Sequence, residues 1–250
     1  MTSFQDHFSS HASVYADYRP NYPDALYAAL ASITQNHDAV WDVGCGNGQA
    51  SVGVAAHFKA VFATDPSAQQ IAAATPHSGV TYGVAPAEHS GLADANVDVV
   101  LVAQALHWFH FDRFYAEARR VGRPGAPIVA IAYELAQIDD EIDALVRRFY
   151  KGDIGPYWPP DRAHIETGYR NIPWPFARLA FPTLSMIAEW TLEHWLGYLA
   201  TWSAVSRYQA ATGIDPIPAF SERLAPLWGN STRTVRWPLI IKAGLLHPRA

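Results

Sequence analysis

Between residues 39 and 132 the chain alternates short β-rich runs with segments of helical apolar spacing, and that alternation leaves few folds open. The runs cover 39–43, 60–64, 80–84, 97–102 and 127–132, and the helical segments between them cover 49–58, 67–74 and 112–121. Short apolar runs separated by helices suit a parallel sheet covered on both faces, since parallel neighbours need a long crossover. The predicted fold class is therefore α/β, a doubly wound, Rossmann-like sheet.

After residue 134 the composition changes. Eleven of the 18 prolines and seven of the nine tryptophans follow residue 150, in clusters such as GPYWPP and IPWPF. Proline removes backbone donors, so 152–182 is predicted to be mostly loop and short turns. The segment TLEHWLGYLATWSAV (191–205) predicts an amphipathic helix with Leu192, Trp195, Leu196, Leu199 and Trp202 on one stripe. Asp215 and Pro216 read as an N-cap and first helical position, and STRTVRWPLIIKAGL reads as a closing strand. With no internal repeat and no low-complexity linker, one domain over 1–250 is expected. Its parts are an N-terminal segment (1–36), a core (37–134), a cap of helices and loops (135–232) and the closing strand (233–250).

Composition excludes several classes. Half of the residues are hydrophobic and 16% charged, the net charge is −5, and no Lys/Arg run exceeds two. A nucleic-acid partner is therefore not expected. The N-terminus lacks the basic and apolar regions of a signal peptide, and no window approaches the roughly 18 apolar residues of a membrane span. The single Cys45 excludes an intramolecular disulfide and a thiolate cluster. A soluble cytoplasmic protein without a membrane partner, monomeric or homodimeric, is expected.

The stretch VWDVGCGNGQA (40–50) lies behind the first strand and before the first crossover helix, where doubly wound sheets bind ligands. A dinucleotide fingerprint G-x-G-x-x-G/A fails in both registers, ending at Gln49 or Ser51. A triphosphate loop fails too, for want of a lysine. What stands is D-x-G-x-G-x-G, carried by Asp42, Gly44, Gly46 and Gly48. This resembles the first motif of the class I S-adenosylmethionine (SAM)-dependent methyltransferases, in which the glycines let the backbone approach the methionine and ribose portion. A carboxylate at Asp42 would neutralise the ammonium there, usually through water.

Asp65 closes the second strand 17 residues after Gly48 and is followed by Pro66. A carboxylate there can accept hydrogen bonds from both ribose hydroxyls, or cap the next helix. VAPAEHSGL resembles the family's adenine segment, with Ala87 and Glu88 at the matching positions. VDVVLVAQALHWF resembles its fourth strand and following loop, which implies that Gln104 faces the cofactor and that His107 and Trp108 line the methyl-transfer site. The resemblance covers about 38–133 and implies a seven-stranded sheet, mainly parallel with one antiparallel strand, under an α-helical cap.

Within that superfamily FSSHASVYADYRPNYP and GYLATWSAVSRY are similar to segments of the small-molecule methyltransferases (methyltransferase type 11) related to trans-aconitate methyltransferase. The likeness implies that Tyr15, Tyr18 and Arg19 fold over the cofactor, with Arg19 on its carboxylate. It also implies that Trp195, Tyr198, Trp202 and Ser203 wall the substrate cavity and that Arg207 holds an anionic substrate.

Methyl transfer is an in-line displacement that depends on alignment and exclusion of water. A carboxylate acceptor needs no general base, whereas a phenol or hydroxyl does. His107 is the candidate base or orienting group, and His110 is a weaker one. The pairs His107/His110 and His7/His11 lack an acidic or thiol ligand in register, so no metal is expected. The expected activity is SAM-dependent methylation of a small molecule, with a carboxylic acid oxygen as the candidate acceptor. The alternatives are a quinone or lipid-like acceptor, a non-catalytic SAM-binding regulatory module, and a nucleotide-dependent oxidoreductase.

Overall fold

The computed structural model describes residues 18–247. Five strands build the parallel part of the sheet: β1 (Ala39–Val43), β2 (Ala60–Asp65), β3 (Val80–Val84), β4 (Val99–Ala103) and β5 (Pro127–Tyr133). A two-residue β6 (Ala177–Arg178), β7 (Ser185–Trp190) and a 13-residue β8 (Arg233–Leu245) complete it. The order is β3-β2-β1-β4-β5-β8-β6, with β7 paired to β8. Pairs among β1–β5 are parallel, and those made by β8 with β5, β6 and β7 are antiparallel. The fold class is thus the expected α/β sheet, with eight strands rather than seven.

β8 serves β7 along one half and β5 and β6 along the other because it outlasts each. Its first half pairs with β7 from Arg233 to Pro238, and its second half pairs with β5 from Leu239 to Leu245. Pro238, which has no N–H to donate, stands where the pairing changes hands.

Helices α1 (Asp24–Ser32) and α2 (Gln49–Val54) cover one face of the sheet, and α4 (Phe111–Val121) covers the other; the short α3 (Ala68–Ala72) follows β2. Every residue of β1 and β5 is buried, as strands covered on both sides must be. Side chains alternate across β1, so Val40 joins the core with Leu26, Leu30 and Val54, while Trp41 and Val43 join Phe114, Ala118 and Val121. Asp42 shares the face of Val40 and so points toward α2.

The cap comprises α5 (Asp140–Arg148), α6 (Arg162–Glu166), α7 (Leu192–Ala200), α8 (Ser203–Thr212) and α9 (Ile217–Trp228). The predicted 191–205 helix is two helices, broken at Thr201 and Trp202. The α9 N-cap is Pro216, one residue later than expected, and Asp215 Oδ1 accepts from the Ile217 amide at 3.0 Å. No helix among the described residues is long and apolar enough to cross a membrane.

Asp139 caps α5 by accepting from the Ile142 amide at 2.9 Å, and its other oxygen lies 3.2 Å from Arg233 of β8. Asp139→Ala is expected to cost about 1 kcal/mol, chiefly the lost cap, because the ion pair is partly solvated. Urea unfolding with an unchanged m-value measures this.

Candidate active site

The strand order reverses between β1 and β4, which opens a crevice at their carboxyl ends. Gly44, Gly46 and Gly48 turn the chain there with φ of 67°, 55° and 85°. The Gly44 and Cys45 amides donate to Thr64 O at 2.8 and 3.0 Å, and the Gly46 amide donates to Asp65 Oδ2 at 2.9 Å. Three consecutive N–H groups are therefore spent on β2. A phosphate cradle would need such groups aimed at its ligand, so the loop is built for close approach of a backbone and not for an anion.

Asp65 is the organiser of that turn. Its other oxygen accepts from the Ser67 amide at 2.8 Å, so the capping role weighed for it is real. Pro66 follows, half-buried.

Asp42 is fully buried behind the loop. Its Oδ2 accepts from Ser51 Oγ of α2 at 2.5 Å, and its Oδ1 has no hydrogen-bond donor among the described residues. Burial, with the Asp65 charge adding to it, pushes the Asp42 carboxyl up to about 7. Gln104, just past β4, adopts φ of 56°; its Nε2 donates to Tyr133 O at 3.4 Å while its buried Oε1 also lacks a donor. A buried acceptor left unpaired costs on the order of 1–3 kcal/mol. Two of them beside a glycine turn suit a ligand that brings donors, such as an ammonium and hydroxyl groups.

Arg19 and Tyr18 lie over this region. Arg19 Nη1 donates to Tyr133 Oη at 3.0 Å, Nη2 reaches Thr201 O at 3.5 Å, and the guanidinium sits 5.3 Å from the Tyr198 ring centre. Tyr18 packs so tightly on Gly197 of α7 that a Cβ there would enter its ring. Gln49 Nε2 donates to Pro20 O at 2.8 Å, which ties the same segment to the start of α2. Residues 18–20 thus bridge the cap and the glycine turn. Tyr15, His7 and His11 lie outside the described residues.

Ala87 is buried after β3, and Glu88 accepts from the His110 amide at 2.8 Å ahead of α4. Glu88 is thus not the solvated loop carboxylate its position allows, since it anchors the turn after β4. His107 is buried there, with Nδ1 2.9 Å from Tyr169 Oη and its ring against Trp108 at 4.6 Å. Burial, and to a lesser degree the charge of Arg162, pushes its imidazole down to about 3.

The cap aromatics depart from expectation. Tyr198 and Trp202 are 3% and 4% exposed; Tyr198 packs with Trp190, Trp195 and Trp237, Trp202 packs with Tyr150, Trp158 and Tyr198, and Trp237 Nε1 donates to Tyr198 Oη at 3.3 Å. Tyr198 is a core residue, whereas Trp202 backs the Tyr150 and Trp158 rings, because a helical apolar stripe reports burial and not the partner it is buried against. Arg207 is half-buried on α8. The cavity nearest the end of β5, about 690 Å³, is bordered instead by Tyr150, Arg162, Ile165 and residues after Tyr133. Sequence spacing carried no sign of Arg162, Tyr150 or Tyr169, which reach the site only through the cap's folding.

A reversal-point crevice, a phosphate-free glycine turn, an acid closing β2 and unsatisfied acceptors behind the turn define the class I SAM-dependent methyltransferase architecture. The sequence profile of a methyltransferase domain matches residues 41–130. A protein of Dictyostelium discoideum named as a methyltransferase is 33% identical over 227 residues, 89% of this chain and 86% of that one. A solved structure described as a type II methyltransferase from Anaeromyxobacter dehalogenans is 46% identical, covers 92% of this chain and 99% of its own, and superposes with a TM-score of 0.86. A Saccharomyces cerevisiae protein named as a SAM-dependent methyltransferase is 28% identical over 118 residues, 44% of this chain and 40% of that one. The chain belongs to the class I SAM-dependent methyltransferases and is an enzyme of that family.

Proposed function

We propose that the enzyme methylates a small-molecule acceptor at a carboxylate oxygen. The observation that carries this reading is the state of His107, whose imidazole is buried, bonded to Tyr169 and pushed down to about 3. An effective general base has a pKa near the working pH, and one at about 3 is too weak to deprotonate a phenol or alcohol. A carboxylic acid arrives already ionised and asks for no base.

SAM supplies an electrophilic methyl, which passes to the acceptor oxygen as the carbon–sulfur bond breaks and leaves a neutral thioether and a methyl ester. The chain's own residues hold and align. Asp42 takes the ammonium side; Gly44, Gly46 and Gly48 admit the methionine and ribose portion; Asp65 and Pro66 face the ribose. Ala87 and Glu88 border the adenine, Gln104 accepts from the cofactor, and Tyr18 and Arg19 close over it. His107 and Trp108 position the loop after β4, with Tyr169 fixed by His107.

The test is incubation of small acids, phenols and quinols with labelled SAM, followed by mild alkali. Volatile labelled methanol marks an ester and supports the reading, whereas alkali-stable ether or C-methyl products overturn it and favour a phenol, quinone or lipid-like acceptor. A second expectation concerns pH. At saturating SAM and acceptor, kcat should stay within about 2-fold between pH 6.5 and 9, because neither partner gains or loses a proton in the step. A tenfold rise across that range would restore a base.

A further inference from the structure

The cavity at the carboxyl end of β5 carries five carboxylates and three cations on its border, and by count it is acidic. Their individual situations reverse that impression. Asp139 is engaged by Arg233 and the α5 N-terminus, Asp143 accepts from the Ile138 amide at 2.9 Å, and Glu166 Oε1 accepts from Tyr150 Oη at 2.8 Å. Glu134, Asp140, Arg147 and Lys151 are exposed to solvent. The half-buried cation is Arg162.

Arg162 is built in from two sides. Its guanidinium lies 4.8 Å from the Trp158 ring centre and 5.7 Å from that of Tyr150, and its Nε donates to Tyr150 Oη at 3.0 Å. Trp158 is itself fixed by an Nε1 bond to Tyr150 O at 3.1 Å. Glu166, one helical turn along α6, is the natural partner for Arg162, yet Tyr150 intercepts it: the phenol donates to Glu166 and accepts from Arg162. Among the described residues Arg162 forms no ion pair, and its two Nη groups make no hydrogen bond. The helix that carries Arg162 packs against the 106–108 turn after β4, the segment read above as lining the methyl-transfer site.

A planar cation held on two aromatic faces, with its forked end unspent beside a cavity, matches the two oxygens of a carboxylate. We propose that this cavity is the acceptor-recognition site and that Arg162 binds the acceptor's carboxylate, with Tyr150 and Trp158 as positioning residues. The proposal rests on the carboxylate reading above and adds the residue that selects for it.

Calorimetric titration of the full-length protein saturated with S-adenosylhomocysteine tests it, using benzoate, succinate and citrate, with benzamide and succinamide as uncharged counterparts. At least one carboxylate should bind the parent, and neither amide should. Arg162→Gln should weaken that binding by about 30-fold or more, the loss of a charge-assisted pair, while Arg162→Lys retains part of it. Both variants should bind S-adenosylhomocysteine within 2-fold of the parent, which also certifies their folding. Equal carboxylate affinity in parent and Arg162→Gln overturns the proposal. So does a parent that binds no carboxylate in preference to the amides. Failure of the parent to bind S-adenosylhomocysteine would strike instead at the cofactor site, and alkali-stable products would strike at the ester reading, so the three failures are separable.

Discussion

Asp42→Asn is expected to raise the melting temperature of the cofactor-free protein at pH 8 while weakening S-adenosylhomocysteine binding by 10-fold or more. The carboxylate is buried with one oxygen unpaired, and its carboxyl sits at about 7, well above the unfolded value near 3.9. A group whose folded pKa is raised gives its full stabilisation below the unfolded pKa. That contribution is lost as pH rises toward 7. Above pH 7 the buried charge therefore costs the fold up to about 4 kcal/mol, three pH units at roughly 1.4 kcal/mol each. Asparagine keeps an oxygen for Ser51 and removes the charge, so the variant's advantage should be present at pH 8 and largely gone by pH 4.5.

The cofactor's ammonium reverses the balance, because only the ionised carboxylate attracts it. Parent affinity for S-adenosylhomocysteine should rise up to about 10-fold per pH unit from pH 5 to 7 and then level off. In Asp42→Asn the profile should be flat and low. Calorimetric melts and titrations at pH 5, 6, 7 and 8 read both effects; a parent affinity independent of pH would refute the assignment of Asp42 to the ammonium.

The second large effect belongs to Gly44→Ala, expected to destabilise by about 2–5 kcal/mol and to abolish cofactor binding. Alanine at φ of 67° costs roughly 1–2 kcal/mol in backbone strain. Its methyl would also stand 2.6 Å from Ala105 Cβ and 3.1 Å from the Phe109 ring. A Cβ cannot swing aside, so the turn must back away from the loop after β4, adding about 1–3 kcal/mol. Gly46→Ala is the control. Its φ is 55°, yet the nearest atom to a new methyl is Gln70 Oε1 at 3.7 Å, so only the backbone term of roughly 1–2 kcal/mol applies. Denaturant titration of both variants separates strain from collision; equal losses would show that the contact with Ala105 has no weight.

How much of this was legible beforehand differs by element. Strands at 39–43 and 80–84 were readable to the residue, the first because a strand buried on both faces is a bare apolar run, the second, a half-exposed edge strand, from its β-branched and aromatic residues. β7 and the N-terminal half of β8 depend on each other, over 40 residues apart, and SMIAEW alone does not announce a strand. Helix α5, with its acidic first turn and basic last turn, was readable in principle from DDEIDALVRR, since charges of that polarity complement the helix dipole.

The turn that carries the proposed cofactor site was legible from local spacing: Asp42, the three glycines and Asp65 are set by one strand, one turn and the next strand, whose geometry follows from hydrogen bonding along the chain. The proposed acceptor site was not. Trp195, Tyr198 and Trp202 carry the pattern of a buried face, and only packing decided that the first two meet β7 and β8 while Trp202 meets Tyr150 and Trp158. His107 reads as a base or orienting group in sequence and becomes an enclosed neutral ring in the fold, because burial sets its proton affinity. Arg162 reads as one more surface charge. It becomes an unpaired cation beside a cavity because Tyr150, 12 residues away, takes up Glu166. Backbone geometry is decided by neighbours in the chain, whereas desolvation and pairing are decided by neighbours in space.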